Sequence, residues 1–150
     1  MSDQRLVGRS TCSSLVITCS DFRFKSAERA FVDTAGLRDD HDLIARPGAI
    51  RSLVQPRSAG ARESLEQEIV LLWKVHNFTR VLMLNHLSCR AYDDIASPAT
   101  ERAAHVRHLL AAAPIIEGLV EAVTAEAYLI EPDKGRLVCR RIPMEASSAP

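Results

Sequence analysis

Residues 80–89 read Arg80-Val81-Leu82-Met83-Leu84-Asn85-His86-Leu87-Ser88-Cys89. Val81 to Leu84 is an unbroken apolar run, which predicts a strand buried on both faces, as in a parallel sheet. His86 and Cys89 stand where such a strand leaves the sheet. A neutral imidazole and a thiolate at this spacing can turn onto one ion, and zinc prefers both ligand types. Alone the pair is weak, because a strand-end cysteine usually packs as a small apolar residue. A second apolar run, Leu15-Val16-Ile17-Thr18, ends in Cys19, with Asp21 and Arg23 just beyond. Two strands delivering Cys, His and Cys from their ends make a candidate metal site.

The rest of the chain frames this site. With 150 residues, 47% hydrophobic and 25% charged, one domain over 1–150 with a substantial core is expected. Residues 1–13 and 143–150 read as loose tails. Nineteen basic residues balance nineteen acidic ones, so no overall field points to nucleic acid or a membrane surface. No run approaches the roughly 18 apolar residues of a membrane span, and the N-terminus lacks the apolar core of a signal peptide. Four scattered cysteines do not make a disulfide scaffold. A cytoplasmic location is the expectation, with the thiols free to act as ligands.

In chain order, Ser14–Cys19 reads as the first strand and Phe24–Gly36 as a helix stopped by glycine. Asp42–Ala45 is a short strand ended by the turn Arg46-Pro47-Gly48. Residues 49–60 read as loop with room for one helical turn. Leu65, Ile69, Leu72 and Val75 share one face of the strongest helix, Ala61–His76, with Asn77 as a left-handed cap. After loop 90–95, Ser97 and Pro98 predict an N-cap and first helical position. That helix is expected to stop before Pro114, with a short helix from Ile115 to Val123. Ala125–Ile130 and Arg136–Arg140 form a hairpin.

Strand–helix–strand order implies an α/β fold: a central parallel sheet in order 2-1-3, further strands at one edge, helices on both sides, and right-handed crossovers. The switch point then lies between the first and third strands at their carboxyl ends, where open α/β sheets bind ligands. Cys19, His86 and Cys89 converge there. Three protein ligands leave one tetrahedral position open, as in catalytic zinc. Two thiolates offset the charge of the ion and make bound hydroxide harder to form, so a hydrogen-bond acceptor for that hydroxide would help. Asp21 is the candidate, held ionised by Arg23. Released from Arg23, Asp21 can swing onto the metal as a fourth ligand. The alternative is that Asp21 and Arg23 cap the next helix and share a surface ion pair.

Cys19-Ser20-Asp21-Phe22-Arg23 followed by His86-Leu87-Ser88-Cys89 resembles the β-class carbonic anhydrases, whose signatures are Cys-x-Asp-x-Arg and His-x-x-Cys. The likeness runs over roughly residues 14–140. Arg46-Pro47-Gly48-Ala49 falls at the family's pocket-lining turn, Ser64 to Trp73 at the helix before the ligand strand, and Tyr128 to Leu137 at its late hairpin. The resemblance implies Zn2+ on Cys19, His86 and Cys89, and a gating dyad of Asp21 and Arg23. It also implies reversible hydration of carbon dioxide to bicarbonate by a metal-bound hydroxide, in a homodimer or higher homo-oligomer with the site near a subunit interface. Gly48 and Arg90 are expected to bind substrate, Arg90 by attracting the anion.

The chain departs from the family at several points. Phe22 replaces a serine, Pro47 an asparagine, Asn85 the glycine before the histidine and Arg90 the glycine after the second cysteine. Two other readings follow: a zinc-binding relative that serves as an anion-binding or structural protein, and a hydrolase of another small linear molecule such as carbonyl sulfide. Among the remaining polar residues, His105 and His108 are expected on a solvated helix face, His41 and His76 at element ends, and Cys12 and Cys139 as packed thiols. Arg136, Arg140 and Arg141 read as a polar strand edge.

Overall fold

The computed structural model describes residues 8–144. Five strands form one sheet: β1 (Ser14–Thr18), β2 (His41–Ala45), β3 (Arg80–His86), β4 (Thr124–Asp133) and β5 (Arg136–Ile142), in order β2-β1-β3-β4-β5. The first four pair in parallel and β5 returns antiparallel. Strands 2, 1 and 3 thus lie in the expected order, with the hairpin at one edge. Four helices cover the sheet: α1 (Lys25–Thr34), α2 (Arg51–Val54), α3 (Ala61–His76) and α4 (Glu101–Leu119).

Side-chain alternation along β1 and β3 divides the core in two. Leu15, Ile17, Val81 and Met83 pack with Leu65 and Ile69 of α3 and Leu109 and Ile116 of α4. Val16, Leu82 and Leu84 pack with Phe24, Val32 and Tyr128 on the α1 side. Both faces are covered, and for that reason these strands read as continuous apolar runs. Complete burial of side chains such as Ile17 and Leu82 contributes about 2 kcal/mol each.

Register then places the site. Ile17 pairs with Ile44 and Met83, and Thr18 with Ala45 and Leu84. The segments after β1, β2 and β3 therefore emerge together at one end of the sheet. Asn77 takes the left-handed conformation (φ 53°) at the end of α3, and its N–H reaches the Trp73 carbonyl at 2.8 Å. This cap starts the short link into β3.

Two expectations about helix ends are corrected. The helix expected to stop at Pro114 continues through it to Leu119. Pro114 is exposed while Leu109, Ala112, Ala113 and Ile116 are buried in one core. Packing on either side of the ring thus outweighs the hydrogen bond that proline removes, and solvent reaches the freed position. Ser97 is not the N-cap; that position is Thr100, and Ser97–Thr100 forms its own turn through N–H and hydroxyl contacts of 2.9 and 3.1 Å. Residues 51–54 form the one helical turn expected within 49–60, and it carries a buried arginine. Of the expected loose tails, residues 1–7 and 145–150 lie outside the described residues. In the described part, Cys12 N–H donates to the His76 carbonyl (3.2 Å) and Ser13 N–H to Asp40 (2.9 Å). Among the described residues no helix is long and apolar enough to cross a membrane.

Candidate metal centre

Cys19 follows β1, His86 ends β3, and Cys89 lies three residues on. One ligand atom from each lies within 4.8 Å of the other two. All three residues are buried, with 6%, 2% and 3% of their surface exposed. The two sulfurs stand 3.9 Å apart. That is too far for a disulfide at about 2.05 Å. It matches thiolates sharing one tetrahedral ion, which at Zn–S distances of about 2.3 Å lie about 3.8 Å apart.

The histidine supplies a second test of fit. Its Nδ1 donates to the Leu87 carbonyl at 2.7 Å, which fixes the tautomer and leaves a lone pair on Nε2. That Nε2 is buried without a hydrogen-bond partner; among the described residues only Asn85 Oδ1 shares this condition. A buried acceptor with nothing to accept costs about 1–3 kcal/mol, and a cation between the sulfurs would remove the cost. Phe24 stacks on the imidazole with centroids 3.8 Å apart and planes 21° apart, which holds the ring in place. The donor set fits a zinc-class ion.

The charges are arranged to suit. Cys19 is drawn well below the usual thiol range, first by the Cys89 thiol hydrogen-bonding to it and further by the backbone N–H groups of Gly48 and Asp21. Cys89 is pushed up, because it donates to that thiolate and because it is buried. The first thiol proton therefore leaves readily, and the second leaves when a cation offsets both sulfurs. Lys25 reinforces the end of β1: its Nζ donates to the Cys19 carbonyl (2.6 Å) and to Glu28 (2.8 Å), which also accepts from Thr18.

Asp21 and Arg23 pair with each other and also cap the next turn. Asp21 caps the turn Phe22–Phe24 through the Arg23 N–H at 2.9 Å. Its carboxylate also accepts from Arg23 Nη2 at 2.6 Å and from Nε at 3.1 Å. The guanidinium holds Asp21 ionised, with its carboxyl pulled down to about 2. Arg23 Nη2 reaches on to the Ser88 carbonyl at 2.9 Å, tying the dyad to the second ligand loop. Asp21 Oδ2 is 3.9 Å from His86 Nε2, so the carboxylate faces the ligand triangle.

A cavity of about 530 Å³ opens above these groups, lined by Cys19, Asp21, Arg23, Pro47 and Arg90 among others, with exposed Phe22 at its mouth. The Arg90 side chain lies at the solvent edge, 3.3 Å from Asp93 and 86% exposed. Gly48 faces the Cys19 sulfur through its N–H. At φ 78° it occupies left-handed backbone, and a Cβ there would meet Arg51 at 3.3 Å and Ala91 at 3.4 Å. A side chain is therefore disfavoured twice at this position.

Several supporting residues carry no sequence signal. Glu101, at the start of α4, accepts from the N–H of Cys89 (2.7 Å) and of Ser88 (3.0 Å), and Ser88 is itself left-handed at φ 56°. Buried Arg51 holds the following loop through the Ala91 carbonyl and through Asp94 at 2.6 and 2.7 Å. His105 and His108 are not on a solvated face; they are 1% and 4% exposed. They share the inward face of α4 with Ala104, Leu109 and Ala112. Asn85 Nδ2 donates to His105 Nδ1 (2.9 Å) and to the Tyr92 hydroxyl (3.2 Å); that hydroxyl donates to His108 Nδ1 (2.7 Å), whose Nε2 donates to Gln55 (3.1 Å). Both imidazoles are neutral in this chain of bonds, and burial lowers both, His105 to about 4.

Comparison with known proteins agrees with this architecture. A family model described as "Putative carbonic anhydrase" matches residues 9–136. An uncharacterized protein of Rickettsia bellii is 29% identical over 123 residues, covering 78% of this chain and 75% of its own length. The β-carbonic anhydrase isoform I of Trichomonas vaginalis superposes with TM-score 0.55 at 11% identity, over 91% of this chain and 86% of that one. The apo form of a carbon disulfide hydrolase superposes with TM-score 0.56 at 14% identity, over 85% and 78%. The family match spans β1, β3, the Asp21–Arg23 pair and α4, and the chain belongs to the putative carbonic anhydrase family, as a divergent member with the β-carbonic anhydrase fold.

Proposed function

We propose that the protein is a zinc enzyme that reversibly hydrates carbon dioxide to bicarbonate, with Cys19, His86 and Cys89 as metal ligands and Asp21 with Arg23 as a gating dyad. The observation that carries this reading is the buried triangle of two sulfurs and an unpartnered imidazole nitrogen, faced by a carboxylate that an arginine keeps ionised. Zinc held there supplies a Lewis acid that makes water nucleophilic near neutral pH. Asp21, titrating near 2, stays a carboxylate across the working range and accepts a hydrogen bond, not a proton, from the attacking solvent. Arg23 fixes its direction, and with zinc held by Cys19, His86 and Cys89 would restrain the carboxylate from becoming a ligand itself. Arg90, at the cavity edge, offers positive charge to the departing anion. The proton passes to buffer through the open cavity.

Zinc content, with stopped-flow hydration of carbon dioxide from about pH 6.5 to 9, tests this reading. One zinc at the site and a rate above buffer supports it. Zinc with no rate leaves a zinc-binding relative with an anion-binding or structural role. A second reading, hydrolysis of another small linear molecule such as carbonyl sulfide, is supported by the likeness to a carbon disulfide hydrolase. Sulfide release from such substrates distinguishes it. The proposal includes a homodimer or larger assembly. Exposed Leu43 on edge strand β2, with Leu71 and Val75 on α3, supports it, and sedimentation velocity tests it.

A further inference from the structure

The opposite end of the sheet carries a second group of ligand-type side chains. Cys12 precedes β1, Asp42 lies near the start of β2, and His76 ends α3. One ligand atom from each lies within 4.8 Å of the other two. Cys12 and Cys19 bracket β1 end to end, about 20 Å apart at a strand rise of about 3.3 Å per residue, so this group is separate from the first. It combines thiol, imidazole and carboxylate, a set suited to zinc or cobalt and unlike the all-oxygen shell that calcium or magnesium selects.

The backbone holds the three together before any ion arrives. The Cys12 N–H donates to the His76 carbonyl at 3.2 Å, fixing two ligand-bearing residues side by side. Ser13, the next residue, is held by Asp40 through its N–H at 2.9 Å. His76 Nδ1 is 2.7 Å from Asp42 Oδ2, so imidazole and carboxylate already point at one place. The Cys12 thiol donates to the Ser14 carbonyl at 3.4 Å, a weak bond that an ion could replace. All three residues are partly exposed, and they line a small cavity of about 130 Å³ with Arg9, Asp39 and His41. An ion therefore has a route in, and solvent can complete its coordination.

We propose that Cys12, Asp42 and His76 form a second, solvent-facing site for a zinc-class divalent cation, which staples the segment before β1 to β2 and α3. On binding, the Cys12 thiol proton passes to solvent, the His76–Asp42 hydrogen bond opens with the Nδ1 proton exchanged through solvent for one on Nε2, and the sulfur, the freed imidazole nitrogen and the carboxylate oxygen take the ion, with no change in oxidation state. Cobalt(II), added to the full chain stripped with chelator, is the probe, because each cysteine–cobalt bond gives a near-ultraviolet charge-transfer band. The expected result is two cobalt equivalents for the parent and one each for Cys12→Ser, Asp42→Asn and Cys19→Ser, with circular dichroism confirming that each variant is folded. Cys12→Ser should also lose the charge-transfer intensity of one of three sulfur–cobalt bonds. One equivalent in the parent that folded Cys12→Ser keeps, or two equivalents kept by both folded Cys12→Ser and folded Asp42→Asn, overturns the proposal. Failure of Cys19→Ser alone to lose an equivalent would count against the first site and leave this one standing.

Discussion

Replacing Glu101 with alanine should loosen the grip on zinc although Glu101 is not a ligand. Its carboxylate accepts from the N–H of Cys89 at 2.7 Å and of Ser88 at 3.0 Å. Hydrogen bonds to a charged group are worth about 1.5–3 kcal/mol each, so the pair could reach about 3–6 kcal/mol if water were excluded. The loop is partly open, and water takes over much of each bond; about 2 kcal/mol is the reasonable loss. Ser88 sits at φ 56°, a left-handed conformation that costs a non-glycine residue about 1 kcal/mol or more. Without the carboxylate the loop relaxes away from it and takes Cys89 along. A loss of about 2 kcal/mol is about 30-fold in affinity, within the about 10–100-fold range for residues that orient metal ligands. The assay is competition with a chromophoric chelator near neutral pH, in a Cys12→Ser background so that one site is read. Glu101→Gln, which keeps one good acceptor, should fall between. Zinc affinity within two-fold of the parent in both variants would refute the reasoning and leave Glu101 as a simple cap on α4.

Other perturbations test other links. Arg23→Ala frees Asp21, whose carboxyl should rise from about 2 toward its ordinary value, and hydration should fall about 100-fold with zinc content unchanged; an unaltered rate would remove the dyad from the mechanism. Pro114→Ala restores a helix N–H at an exposed position and should stabilise the fold by about 1 kcal/mol, part of the helix gain being offset by a freer unfolded chain; a lower melting temperature contradicts the packing account of α4. His105 is held near 4 by burial against about 6.5 when unfolded. Between those values only the unfolded chain binds the proton, so stability should fall by about 2–3 kcal/mol as pH drops from about 6.5 to about 4. Asp21 and Asp94, both held near 2 by their arginines, lose their contribution at lower pH still, below about 3.8. Urea titrations along this range, with His105→Leu as control, separate the two windows; a control with the same slope between pH 6.5 and 4 would clear His105 of the effect.

What could be read from the residues depended on how strongly burial constrained them. Val81–Leu84 and Leu15–Ile17 announce central strands because both faces are covered, and strand order then brings Cys19, His86 and Cys89 to one end of the sheet. Nothing local marks Glu101 as the residue that holds their loop, since a glutamate in a first helical turn is equally at home in water. His105 and His108 read as polar on a helix and proved internal. Their partners Asn85, Tyr92 and Gln55 lie on other elements, and only tertiary structure joins them. Pro114 misled for a related reason. Its local penalty is fixed by the residue, whereas the packing that overrides it comes from Leu109, Ala113 and Ile116 against the sheet. Phe24, expected merely to open a helix, lies against the His86 ring, a contact between segments far apart in sequence.

The most direct test is anomalous diffraction at the zinc edge from crystals grown with zinc. A peak at bonding distance from Cys19 Sγ, His86 Nε2 and Cys89 Sγ together is the result these contacts require. No peak there, a Cys19–Cys89 disulfide, or a peak that leaves His86 Nε2 unengaged would contradict the assignment at its root.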